Sequence, residues 1–179
     1  MLGSILVTHG PLGRRAGRVV EVEAYVGPHD LACHASRGRT PRTEVLFGPP
    51  GRAYVYLCYG MHELFNVVTD PEGHAAAVLV RALEPVEGLP PGVRLDGPAR
   101  LTRALGIDRS HNRLPLDGPS LFLHAGAAVP ESRVARGPRI GVDYAGAWAA
   151  APLRLWVRDS PHVSRAPSPR RARRPADAA

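Results

Sequence analysis

The sequence predicts a single α+β domain, rich in strands and poor in helices, and three observations carry that expectation. At 179 residues the chain is long enough for one hydrophobic core and short for two. Glycine and proline number 19 each, which calls for many turns between short elements. Strand-like apolar runs outnumber stretches with helical spacing.

Taken in order, "SILV", "GPLGRRAG" and "RVVEVEAYV" predict strand, turn, strand. "TPRTEVLFGPPGRA" predicts a short helix stopped by a double-proline, glycine turn. "AYVYLCYGMHELFNVVT" and "HAAAVLVRALEP" are further strand runs joined by the turn signal "DPEG". "GPARLTRALGI" places Leu101, Ala104 and Leu105 at helical spacing with arginines on the other face. "SLFLHAG", "RIGVDYAG" and "LRLWVRD" predict short strands or connectors that close the domain. The expected boundary falls after residue 164. The remainder, 165–179, is basic and too rich in proline and polar residues to pack, and is expected to be disordered.

Charge narrows the partners. The formal net charge is +7, which favours a polyanion, nucleic acid before an acidic membrane surface. All 23 basic residues are arginine, so no side-chain amine exists to form a Schiff base, and lysine-dependent covalent chemistry is excluded. Cys33 and Cys58 have no metal-ligand spacing and are expected to be free thiols. No apolar run reaches the roughly 18 residues of a membrane span, and "MLGSILVTHG" lacks a signal-peptide pattern. The expected location is cytoplasmic, at the nucleoid.

Two stretches could carry chemistry. In "VVEVEAYV", strand alternation puts Glu21, Glu23 and Tyr25 on one face and valines on the other. That face is either a solvated polar surface, the ordinary outcome, or the place where a carboxylate serves as general base beside an aromatic ring. In "GRAYVYLCYGMHELFN", Tyr54 and Tyr56 share a face and Tyr59 falls at the "YG" break. An exposed aromatic at a turn suits a wedge entering a base stack, and aromatics lining a pocket suit stacking on a planar base. Ordinary sheet packing is the alternative for all three. "HELFN" starts like the zinc motif H-E-x-x-H but ends in Asn66, so no metal site is expected.

Five separated blocks, "EVEAYVGPHDLACHASRGRTPR", "FGPPGRAYVYLCYGMHELFNVV", "VLVRALEP", "GPARLTRALGI" and "RIGVDYAGAWAAAPLRLWVRDSPHVSR", occur in order between about Leu2 and Arg165. Together they resemble the alkyladenine, or methylpurine, DNA glycosylases. The resemblance implies a curved, mainly antiparallel sheet surrounded by helices, with a protruding β-hairpin that inserts into DNA, and a glycosylase domain over 1–164 from which the family's N-terminal helix is missing. It implies a monofunctional enzyme that flips alkylated or deaminated purines from double-stranded DNA and hydrolyses their N-glycosidic bond, beginning base-excision repair without a cofactor and as a monomer. By matching motifs, Glu23 is implied to activate water, with Arg81 and the backbone carbonyl of Ile140 helping to hold it. Tyr25, His34 and Tyr56 are implied to enclose the flipped base, and Asn66 to obstruct the amino group of normal guanine. Tyr59 is implied to intercalate, with Met61 and Leu79 as apolar neighbours. Arg37, Arg39, Arg42, Arg100 and Arg103 are candidates for phosphate contacts. A noncatalytic nucleic-acid binding module would use the same tyrosines and arginines without needing Glu23.

Overall fold

The computed structural model describes residues 1–165. Eight strands form one curled, wholly antiparallel sheet. They are β1 (Ile5–Gly10), β2 (Gly13–Tyr25), β3 (Ala53–Cys58), β4 (His62–Val68), β5 (Ala77–Glu87), β6 (Leu121–His124), β7 (Val134–Gly137) and β8 (Arg154–Val157). The main path runs β3-β4-β5-β2-β1-β6, and β8 joins β2 to β7.

The long strand β2 organises this sheet. One edge pairs with β5 along its length, whereas the other is shared, Arg14–Arg18 lying against β1 and Glu21–Glu23 against β8. The β2–β5 register slips three times, once between Ala16 and Gly17 and twice around Glu21. Val19 pairs with Leu83, Glu21 with Ala82 and Val22 with Val80, so Val20 and Arg81 are skipped. Such irregularities kink a strand and re-aim its side chains. Here they bring Arg81 against the two glutamates of β2.

Alternation sorts the sheet into two faces. Val22, Val55, Phe65, Val67 and Val80 join Leu6, Leu83, Leu101 and Leu121 in the principal core. Burying each large apolar side chain contributes roughly 1.5–3 kcal/mol. The opposite face of β2–β5 carries Glu23, Tyr25, Tyr54, Tyr56, Asn66, Ala77, Leu79 and Arg81 around a cavity. Of the two readings of this face of β2, the solvated polar surface is excluded, because Glu21 and Glu23 are both 0% exposed.

The helical part is slighter than expected. The predicted amphipathic stretch is α1 (Pro98–Leu105), which buries Leu101 and Leu105 and exposes Arg100 and Arg103. Proline begins it, and Gly106 ends it at φ 71°, with Ile107 N–H donating to Thr102 O in a Schellman turn. "TPRTEVLFGPPGRA" yields only a 3-10 turn, Glu44–Phe47, cut short before Pro49 and Pro50. "RIGVDYAG" leads into a kinked 3-10 segment, Asp143–Ala150, rather than a strand. The strand β7 lies just before it, in a stretch with no strand-like run of its own. No helix among the described residues is long and apolar enough to cross a membrane. The expected disordered tail, 165–179, lies outside the described residues except for Arg165.

The return from β5 depends on Gly88, where φ is +66° and a Cβ would lie 1.9 Å from the Arg14 carbonyl oxygen. Left-handed strain and the forced backbone shift together should cost roughly 2–4 kcal/mol in Gly88→Ala. Urea denaturation checks this; an unchanged midpoint would contradict it.

Candidate active site

The cavity between β2–β5 and the segment 140–144 has a volume of about 490 Å³. Its aromatic wall comes from alternation on β3, where Tyr54 and Tyr56 face the same way with ring centroids 5.2 Å apart. His34, on the 3-10 turn His34–Arg37, meets Tyr56 edge-on at 4.6 Å and bonds Tyr54 Oη through Nδ1 at 2.8 Å. Asn66 sits opposite Tyr54 in the β3–β4 ladder and donates from Nδ2 to the Tyr54 carbonyl at 3.1 Å. Cys33 and Cys58, both free thiols, complete part of the lining.

The two buried glutamates are held by different donors. Glu21 accepts from Arg81 Nε at 3.2 Å, Arg154 Nε at 2.6 Å, Ser164 N–H at 2.6 Å and Ser164 Oγ at 2.8 Å. Three of these donors converge on Oε1 and one reaches Oε2, and together they join β2 to β5, β8 and the segment around Ser164. Glu23 accepts from Ile140 N–H at 2.7 Å on Oε1 and from Tyr25 Oη at 3.0 Å on Oε2, and the Arg81 guanidinium forms an ion pair with it, Nη1 lying 3.3 Å from Oε1. With a single hydrogen bond on Oε2, Glu23 keeps an acceptor position there, and of the pair it alone borders the cavity. The Ile140 backbone meets Glu23 through its amide N–H. An N–H dipole aimed at a buried carboxylate is the attractive arrangement.

Burial governs the other titrating groups. Burial and the nearby Glu23 carboxylate push the Tyr25 phenol well above its ordinary range, so it stays a donor. Burial, helped by the Arg42 and Arg37 charges, lowers His34 from 6.5 to about 4, leaving it neutral at pH 7. The Arg42 guanidinium stands over the Tyr56 ring at 5.0 Å.

β3 and β4 form a hairpin whose tip is Tyr59, Gly60 and Met61. Met61 N–H donates to Cys58 O, and Tyr59 and Gly60 have φ of 50° and 71°, the signs of a type I′ turn. Glycine takes this conformation freely, whereas tyrosine is strained there by roughly 1–2 kcal/mol. Tyr59 is 89% exposed and Met61 69%. Leu79 does not share this tip, because it is buried on β5 opposite Glu23 and Asn66 and forms part of the cavity wall. Of the arginines proposed for phosphate contact, Arg100 pairs with Asp96 and Arg39 with Glu44, while Arg37, Arg42 and Arg103 are exposed.

Residues 1–161 match the family model described as methylpurine-DNA glycosylase. The chain belongs to that family. A Myxococcus xanthus protein named "Putative 3-methyladenine DNA glycosylase" is 67% identical over 176 residues, covering 98% of this chain and 90% of the relative. Proteins of the same name from Anaeromyxobacter dehalogenans and Legionella pneumophila are 53% and 47% identical, covering 93% and 92% of this chain and 79% and 89% of their own lengths. As a methylpurine-DNA glycosylase, the protein is a DNA-repair enzyme that hydrolyses N-glycosyl bonds.

Sequence reasoning missed three parts of this site. Glu21 and Ser164 are 143 residues apart, and nothing local announces their contact. Tyr144, 71% exposed at the cavity mouth, lies in a stretch read as a connector or strand. Asp30 and Arg139 form a wholly buried ion pair.

The lowered His34 value sets a pH dependence. Its folded value lies below its ordinary one, so the unfolded chain binds more protons between the two. The His34 contribution is full above about 6.5 and is lost as pH falls toward about 4, a loss of at most about 3 kcal/mol. Urea unfolding between pH 4 and 7 should show this slope in the parent and a shallower one in His34→Gln. Equal slopes would contradict the assignment.

Proposed function

We propose that this glycosylase extrudes alkylated purines from duplex DNA into the aromatic cavity and cleaves them there, with Glu23 as general base. The observation that carries the reading is the spare acceptor position on Glu23 Oε2, in a carboxylate at the cavity wall otherwise fixed by two hydrogen-bond donors and the Arg81 ion pair.

Cleaving an N-glycosidic bond builds oxocarbenium-like charge on the sugar. Glu23 stabilises that charge and takes a proton from water as the water oxygen bonds to C1′. The bonding electrons pass to the purine nitrogen. Alkylation at N3 or N7 makes the purine cationic beforehand, so it departs neutral and needs no separate acid. Arg81 and the Ile140 segment hold the carboxylate and water. Tyr25, His34 and Tyr56 enclose the base, on which flat aromatic faces stack. Asn66, tied to the Tyr54 backbone, presents a fixed obstacle to the exocyclic amino group of guanine.

Extrusion costs a few kcal/mol, least for damaged or mispaired bases. Tyr59, held outward by the strained turn with Met61 beside it, fills the vacated stack. The exposed arginines fix the duplex through phosphates without reading sequence. A noncatalytic binding module gives no reason to hold Glu23 in this way, because a buried carboxylate with an open acceptor position is costly to keep.

Glu23→Gln should slow single-turnover release of 3-methyladenine or 7-methylguanine by ~10²–10⁴-fold, while duplex affinity stays within about threefold. A rate within threefold of the parent would end the assignment. Tyr59→Ala should reduce the population of extruded base, read with a fluorescent purine analogue, more than the cleavage step. Unchanged extrusion would remove the wedge role.

A further inference from the structure

Asp30 and Arg139 border no part of the cavity, yet both side chains are 0% exposed and joined by two contacts, 2.5 and 2.8 Å. Burial opposes the charge on Asp30, but Arg139 and the Ala32 and Val26 amides hold its carboxyl below the usual range. Sealed ion pairs are poor stabilisers, and a hydrophobic pair of similar volume often serves stability equally well. The contacts of this pair are more telling than its charge.

Arg139 Nη1 also donates to the carbonyl of Ala24, the residue between Glu23 and Tyr25, at 2.8 Å. Its guanidinium lies over the Tyr25 ring at 4.7 Å. The next residue, Ile140, gives its N–H to Glu23, and Tyr25 gives its hydroxyl. Both neutral donors to Glu23 are thus set by the placement of one arginine. Asp30 fixes that arginine, and by accepting from Val26 and Ala32 N–H it ties down the loop after β2. Arg139 Nε is buried with no hydrogen-bond partner among the described residues, so its position is not the one that best satisfies the guanidinium alone.

We infer that the Asp30–Arg139 pair is a positioning device that aims the Glu23 carboxylate through Tyr25 and Ile140. This inference rests on the reading of Glu23 as general base. Neither residue meets substrate, so the effect falls on the chemical step and not on DNA capture.

The test separates rate, affinity and stability. Asp30→Asn and Arg139→Lys should each slow single-turnover release of 7-methylguanine by roughly 10–100-fold, the scale of a misplacement near 1 Å. Lysine keeps the charge but loses the forked contacts and the ring stacking. Affinity for a duplex carrying a tetrahydrofuran abasic-site analogue should stay within about threefold. The double variant Asp30→Leu/Arg139→Met should melt higher than Asp30→Asn, because no buried charge is left unpaired, and should remain at least about tenfold slow. A rate that recovers with stability would overturn the inference, as would single variants that lose stability but keep the parent rate per folded molecule. Should Glu23→Gln keep full activity, the general-base reading fails first; should it fail to cleave while the double variant cleaves normally, only the positioning role falls.

Discussion

A carboxylate removed from water must be met by donors, and the donors around Glu23 account for much of this structure. They come from three places far apart in the chain: Tyr25 on the same strand, Arg81 on β5 and the Ile140 amide. Assembling them requires a long β2 that exchanges partners along one edge, and a register slip that leaves Arg81 outside the ladder. Glu21 supports the same assembly from its own buried position, taking the Arg81 Nε and the C-terminal Ser164 as β2 passes between β5 and β8. Satisfying two buried carboxylates and leaving one acceptor position open is a costly arrangement, and sheet packing alone does not require it.

The hairpin complements that arrangement. Its inner face supplies Tyr54, Tyr56 and Asn66 to the cavity, and its outer face supplies Val55 and Phe65 to the core. Two packed faces hold the strands so that the tip can carry a tyrosine in left-handed backbone conformation, almost wholly exposed. An exposed apolar ring on a strained turn is unfavourable for an isolated protein, and strained backbone of this kind is common where function requires it. Cavity wall and exposed tip therefore belong to one hairpin, an arrangement in keeping with the proposed capture of a base and filling of the gap it leaves.

Local signals in the sequence were read well and distant ones poorly. The strands around "RVVEVEAYV" and "AYVYLCYG", the turn at Tyr59–Gly60 and the helix ended by Gly106 all announce themselves within a few residues. Alternation puts Glu21 and Glu23 on one face but cannot separate them, because the difference lies in donors from Arg154 and Ser164. Burial of that face was equally hidden, since it depends on the turn His34–Arg37 and the segment 140–145 folding over it. Asp30 and Arg139, 109 residues apart, have no spacing that a strand or helix period could reveal. Family motifs pointed to Leu79 as part of the intercalating tip, whereas its ladder partners Glu23 and Asn66 put it in the wall.

The central claim is that the open lone pair of Glu23 meets the sugar carbon of an extruded nucleotide. Its most direct test is a crystal structure with a duplex carrying a pyrrolidine nucleotide, whose ring cation imitates the charge of the transition state. The account predicts the pyrrolidine out of the helix at the cavity mouth, Tyr59 in its place, and Glu23 Oε2 within about 3.5 Å of the cationic nitrogen or of a water against it. A nucleotide still stacked in the duplex, or a carboxylate with no approach to that ring, would contradict it.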